Sequence, residues 1–230
     1  MRQIILDTES TGLDPKQGHR LVEIGCLEVV NYMPTGRIFH AYLNPDRSMP
    51  IEAFNVHGLS EEFLKDKPRF AEVVEEFLEF IEDHPLVIHN AQFDMKFINH
   101  ELITIGKVGL DINRAIDTLR IARQKFPGAQ ASLDALCRRF KIDNSARTNH
   151  GALLDAELLA EVYLELCGGR QPHLALGNDE ATQSLTVDTS QLKKALLPLR
   201  SHNPSIEEVE QHKLFLKKLM NPMWRHYQQG

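Results

Sequence analysis

The chain has 230 residues, 42% of them hydrophobic and 25% charged, with a formal net charge of −6. This is the composition of a globular protein with one good core and an appendage. No apolar run reaches membrane-spanning length, and the opening MRQIILD lacks a secretory-signal pattern, so no membrane partner is expected. The charge is uneven: residues 1–176 carry 19 Lys+Arg against 26 Asp+Glu, and residues 177–230 carry 7 against 6. An acidic body gains little non-specific affinity for a polyanion, since that affinity comes from neutralising phosphates. Cys26, Cys137 and Cys167 stand far apart without CxxC spacing. They read as reduced thiols of a cytoplasmic protein, with no zinc site.

Residues 2–9, 20–31 and 36–44 are rich in Ile, Val, Leu and Phe with partial alternation, and predict three strands in an antiparallel meander. PIEAFNVHG predicts a short helix with Pro50 in its first turn and Gly58 past its end. FAEVVEEFLEFIEDH predicts an amphipathic helix, LVIHN a buried strand, FDMKFINHELITIG a helix and AIDT a further strand. LRIARQKF, SLDALCRRF and HGALLDAELLAEVYLELCGG predict helices, the last closed by Gly168 and Gly169. Strands that are first antiparallel and then alternate with helices predict one α/β domain on a mixed sheet over residues 1–169. Residues 170–190 are polar and aperiodic and read as a linker. Residues 191–230 form a tail. Within it SIEEVEQHKLFLKKLM carries a capping box, Ser205 with Glu208, and an apolar stripe of Ile206, Val209, Leu216 and Met220.

Three groups of acids stand out. On a strand, Ile5, Asp7 and Glu9 share one face, and Ile4, Leu6 and Thr8 the other. Two like charges about 4 Å apart repel by roughly 4 kcal/mol at an effective dielectric near 20. Either this strand end opens to water, or a cation sits between the carboxylates. In the late helix, Ala152, Asp155, Leu159, Val162 and Leu166 form the core-facing stripe, with Asp155 inside it. A buried carboxylate needs a partner or a metal, unless it lies at the exposed end of the stripe. His150 is five residues earlier and shares no face with Asp155 on one helix, so it is placed on the preceding loop or first turn. Asp94 heads a stripe continued by Ile98, Leu102 and Ile105, where an acid is also ordinary first-turn chemistry.

Together these make D-x-E on a first strand, N-x-x-F-D at a strand-to-helix junction and H-x₄-D opening a late helix. The set resembles the DEDD-type 3′–5′ exonucleases in the branch with a histidine. EAFNVHGLS, FPGAQASLDALCRRF and IDNSARTNHGALLDAELLAEVYLELCGG are similar to the epsilon, or proofreading, subunits of bacterial DNA polymerase III. The first motif reads DTES where that family more often has DTET.

The resemblance implies a ribonuclease-H-like fold with a mixed five-stranded sheet. It implies two divalent ions, Mg²⁺ or Mn²⁺, held by Asp7, Glu9, Asp94 and Asp155, with His150 as general base and Thr8 structural. It implies a single-stranded or frayed DNA 3′ end as substrate, trimmed to deoxynucleoside 5′-monophosphates. Asp7, Glu9, Asp155, Glu52, His57, Asn90 and Phe93 are the implied substrate contacts. Gln171, Leu174 and Leu176 resemble a peptide that docks on the sliding clamp. The tail resembles the segment that holds the polymerase catalytic (alpha) subunit, and an accessory small subunit is a further partner of the family. Two other readings stay open: an RNA 3′-trimming exonuclease with the same residues, and a structural subunit bridging polymerase and clamp.

Overall fold

A computed structural model of the chain describes residues 1–145, 147, 149–169 and 204–218. The chain divides into two units, Met1–Leu174 and Ala175–Gly230.

The first unit is built on strands β1 (Arg2–Ser10), β2 (Leu21–Val30), β3 (Met33–Tyr42), β4 (Leu86–Ile88) and β5 (Ala115–Asp117). Its helices are α1 (Ile51–His57), α2 (Glu61–Leu64), α3 (Phe70–Ile81), α4 (Ala91–Thr104), α5 (Thr118–Lys125), α6 (Leu133–Phe140) and α7 (Ala152–Leu166). The sheet order is β3-β2-β1-β4-β5. β2 runs antiparallel to β1 and β3, while β1, β4 and β5 are mutually parallel neighbours. This is the expected mixed five-stranded sheet.

β2 and β3 are joined by Asn31 and Tyr32, both at positive φ (52° and 67°), the backbone of a tight hairpin turn whose twist matches its strands. Pairing therefore begins at once, with Val30 opposite Met33 and Val29 opposite Pro34. That places β3 three residues earlier than the run 36–44. Pro34 and Gly36 hide a strand that lies at the sheet edge, where proline is tolerated. The four-residue α2, capped by Ser60, is too short to show periodicity and has no counterpart among the sequence expectations.

The two faces of β1 bury different cores. Ile4 and Leu6 pack with Phe70, Phe77, Phe97 and Ile98 under α3 and α4. Ile5 packs with Val87, Leu136, Leu159 and Val162 under α6 and α7. The period-2 alternation of one strand thus decides which helix layer each acid of D-x-E can meet. β1 is also where parallel pairing gives way to antiparallel. In open α/β sheets, ligands gather outside the carboxyl ends of strands at such switch points.

In the second unit, α8 (Ile206–Lys218) starts at the predicted capping box. The Glu208 N–H donates to Ser205 Oγ, and the Ser205 N–H to Glu208 Oε2 at 2.7 Å. Leu216 is buried and Ile206 exposed, so the stripe is uneven. Met220 lies outside the described residues, as do Gln171, Leu174 and Leu176.

Candidate active site

β1 runs out of hydrophobic residues at its carboxyl end, and there Asp7 and Glu9 face the α7 layer. Asp7 pairs with Gly25 across β2. A Cβ on Gly25 would lie 2.4 Å from the backbone of Ala152 and Leu153. Only a glycine lets the first turn of α7 press this close to the sheet. That approach brings Asp155 to the acids of β1. Asp155 is buried within the α7 stripe, as its spacing predicts. Asp94 arrives from the other layer, in the first turn of α4, and is 3% exposed.

Thr8 points to the α4 side, as alternation requires, and donates from Oγ1 to Asp94 Oδ1 at 2.7 Å. Thr8, expected to be structural, has its hydroxyl on one of the four acids and holds it in place. The three consecutive residues Asp7, Thr8 and Glu9 therefore serve the cluster from both faces of the strand.

The acids differ in electrostatics. Burial, with Asp94, Glu9 and Asp155 nearby, pushes the Asp7 carboxyl well above the usual carboxylate range. Burial and the charges of Asp155, Glu23 and Asp94 push Glu9 up to about 8. Burial pushes Asp94 up to about 7, although the Thr8 hydrogen bonds pull the other way. Asp155 goes down. Burial would raise it, but hydrogen bonds from His150 and Arg147 outweigh the desolvation.

Arg147 carries no signal in the sequence. Its guanidinium grips Asp155 through Nε and, at 2.6 Å, through Nη2, and reaches Asp134 through Nη1 at 2.7 Å. His150 lies on the loop before α7, as expected, with its N–H bonded to Val56 O at 3.1 Å. Its Nδ1 is 3.3 Å from Asp155 Oδ2 and 2.7 Å from Arg147 Nη2. A protonated Nδ1 serves Asp155, and an unprotonated one accepts from Arg147. Atoms of Glu9, His150 and Asp155 lie within 4.8 Å of one another, close enough to hold one metal ion.

These groups line a cavity of about 490 Å³ that also takes in Asn90, Phe93 and Arg123. Glu9 and Phe93 are shared with a second, more apolar cavity of about 500 Å³ lined by Leu13, Glu52, Val56 and His57. Glu52 and His57 are thus absent from the acid cluster and belong to this neighbour. His57 is not a solvated helix end responding to the dipole. It is buried, its pKa lowered by burial and by His150. Its Nδ1 accepts the Leu59 N–H at 3.0 Å, and its Nε2 has no partner among the described residues. The ring is therefore neutral, with an unused N–H donor at Nε2.

Asn90 caps α4 in the left-handed region (φ 65°, ψ 52°), a conformation that asparagine tolerates, and makes no side-chain cap bond. Asp117 caps α5 and accepts the Asn90 and Leu119 N–H groups.

A family model described as an exonuclease matches residues 4–163. The chain belongs to the exonuclease family. Among its relatives, the DNA polymerase III subunit epsilon of Rickettsia felis is 52% identical over 227 residues, covering 96% of this chain and 97% of that protein. The epsilon subunit of Escherichia coli K12 is 45% identical over 237 residues, 97% of each. Within the exonucleases, the chain thus stands with the epsilon subunits. The nuclease domain of 3′hExo, a DEDDh family member solved bound to rAMP, shares the fold. Its TM-score is 0.63, with 16% identity over 72% of this chain and 90% of that one.

DEDDh exonucleases depend on divalent metal. The donor set here fits one. It is carboxylate oxygen with a single imidazole and no thiolate, which suits a hard cation. Three of its acids hold pKa values raised by burial and by neighbouring carboxylates, which a bound cation would offset.

Proposed function

We propose that the chain is a 3′–5′ exonuclease that proofreads DNA synthesis as a subunit of DNA polymerase III. It removes mispaired 3′-terminal nucleotides as deoxynucleoside 5′-monophosphates. The observation that carries this is the meeting of four carboxylates from β1, α4 and α7 beside His150, at an acid cluster short of cations.

Asp7, Glu9, Asp94 and Asp155 would hold two ions, Mg²⁺ or Mn²⁺. Bound there, the ions would stabilise the attacking and leaving oxygens of an in-line displacement at phosphorus. The chain's own residues do the rest. Thr8 keeps Asp94 aimed. His150, tied by its backbone to Val56 at the rim, takes the proton from the attacking water through an unprotonated ring nitrogen. The apolar cavity receives the terminal nucleoside against Phe93, Val56 and Leu13. His57 Nε2–H and Glu52 there recognise sugar or base oxygens and hydroxyls. A base already unstacked by a mismatch enters more readily, since opening a pair costs about 0.6–2.2 kcal/mol per step.

Association with the polymerase goes with the epsilon kinship. The tail around α8 as its tether, residues 171–176 as a clamp contact, an accessory small subunit and a cytoplasmic place of action extend the same reading. The helix-forming signals of α8 and the length of chain between it and Gly169 support a tethered exonuclease.

The test is digestion of 3′-labelled matched and mismatched primers with and without Mg²⁺, with products identified by mass. Metal-dependent release of 5′-monophosphates, faster from the mismatch, is expected. Internal cleavage, or release without metal, would overturn the reading.

A further inference from the structure

Behind Glu9, on the neighbouring strand, lies a carboxylate that the proposed chemistry does not use. β2 sets Glu23 opposite Glu9 and Gly25 opposite Asp7. Residues paired in this way share a face of the sheet, so Glu23 stands on the α7 side with the acids of β1. It is 3% exposed. Opposed side chains are about 4.5–5.5 Å apart at Cβ, and like charges placed so are destabilising. After burial and Asp155, the charge of Glu23 is what raises Glu9 most. Directly beyond this pair the register slips: Ser10 faces Leu21, which leaves Val22 as an extra residue on β2. Bulges of this kind bend a strand and re-aim its side chains, and they gather beside active sites.

Glu23 receives no guanidinium, unlike Asp155. Among the described residues its side-chain partner is His40, whose Nε2 lies 2.7 Å from Glu23 Oε1. His40 comes from β3, opposite Gly25, and so belongs to the same face. Its partly exposed ring stands edge-on to Tyr42 at 4.7 Å, and Tyr42 stands edge-on to Phe63 at 5.0 Å. The imidazole is thus fixed from behind and holds one oxygen of the carboxylate. Such a pair is poor value as a structural brace, because well-packed apolar residues in place of a buried charge pair are often as stable or more so. Its place in the sheet, directly behind Glu9, accounts for it better.

We propose that Glu23 is a fifth carboxylate of the centre, a positioning residue that ligates no ion itself. It holds negative charge behind Glu9, so that the cluster takes up a divalent cation more tightly, and His40 keeps it turned to its own side. This rests on reading the acids of β1 as metal ligands, and adds a residue that tunes them from outside. Coulomb attraction falls only as the inverse of distance, so a charge one strand away still acts on a doubly charged ion. It does so without filling a coordination position that water or phosphate needs. Groups just outside the ligands commonly set metal affinity in this way. Glu23 and Arg147 then act in opposite directions: one strengthens the demand of β1 for a cation, the other satisfies Asp155 from the chain.

The experiment measures Mn²⁺ binding to the full chain at pH 8 by paramagnetic resonance, beside metal-free Tm. Glu23→Gln keeps the size and an oxygen for the imidazole N–H but removes the charge. It should weaken Mn²⁺ binding about tenfold, with metal-free Tm level or raised. Glu23→Asp keeps the charge and should recover most of the affinity. Glu76→Gln, an exposed acid of α3, makes the same change in net charge and should leave binding alone. His40→Leu needs no change at Glu23: it leaves the charge and takes away its partner, so Tm should fall while Mn²⁺ binds no more weakly than before. The two sites thus move affinity and stability in different senses, which a brace would not. Unchanged binding in Glu23→Gln overturns the proposal. So does an equal loss of binding in Glu23→Gln and His40→Leu, which would make the pair structural. Mn²⁺ bound as tightly by Asp7→Asn as by the wild type overturns the metal reading itself, and the proposal with it.

Discussion

The acids of β1 and the acid of α7 belong to one cluster but are solved differently. Asp7 and Glu9 sit at a strand end with no cation of their own, and their pKa values rise. Asp155, buried as well, is held by His150 and by a guanidinium that is itself 8% exposed, and its pKa falls. Three of the four acids are thus left needing positive charge, and one already has it. This keeps a highly charged site folded before metal arrives, while leaving β1 with a strong demand for it. If Asp155 holds an ion as proposed, Arg147 and that ion would compete for the same carboxylate.

The largest effect should come from breaking the β1 half. On the proposed metal site Asp7→Asn would remove a donor worth several kcal/mol of charge stabilisation, so hydrolysis should drop by about 10³-fold or more. The same change relieves repulsion, and metal-free Tm at pH 8 should stay level or rise. Near-normal turnover, or a large fall in metal-free Tm, would show that the β1 acids are not under the strain described.

Next in size is His150→Ala, which leaves all four carboxylates in place. Turnover should slow by about 10²–10⁴-fold, while Mn²⁺ affinity measured by paramagnetic resonance stays within a few-fold. Loss of metal binding with activity would make His150 a ligand and not the base.

Arg147→Ala breaks the α7 half. Removing one partner of an enclosed ion pair costs about 3 kcal/mol or more, so metal-free Tm at pH 8 should fall by roughly 6–12 °C. Mn²⁺ should bind about tenfold more tightly, because a charge-assisted pair no longer has to be given up. Weaker metal binding would mean that Arg147 supports the site and does not compete for it.

The smallest effect is in the pH dependence, where the two halves have opposite signs. Glu9 releases its proton near 4.5 in the unfolded chain and near 8 in the fold. Between those values the folded state holds the extra proton, so stability falls as pH rises. Asp94, from 3.8 to about 7, acts the same way. Asp155, lowered from 3.8, adds stability above its unfolded value that is lost as pH falls through its folded one. Metal-free Tm should therefore be highest near pH 5 and decline by a few degrees toward pH 8, with Mg²⁺ restoring it most at pH 8. A Tm that climbs steadily from pH 5 to 8 would contradict the raised values on β1.

The parts of this site that repeat along the chain were legible before any coordinates. Period-2 alternation put Asp7 and Glu9 on one face of β1. The 3,4 spacing put Asp155 in the buried stripe of α7, and the angle between His150 and Asp155 put His150 off that helix. These follow from strand and helix geometry alone, which local sequence sets. The linkages between layers were not legible, because each joins positions far apart in sequence: the Thr8 hydroxyl to Asp94, and Gly25 against the backbone of Ala152.

β3 was misplaced for a related reason. Its bounds are set by pairing with β2 through a turn of two non-glycine residues at positive φ, a cost that only the finished sheet repays. Arg147 is an ordinary surface-loop arginine until burial takes away the water it would otherwise prefer. So local spacing determined which acids this protein has and which way each one faces. Tertiary packing alone decided which acid receives a cation from the chain and which tautomer His57 holds, because desolvation and long-range contact exist only once the layers have closed.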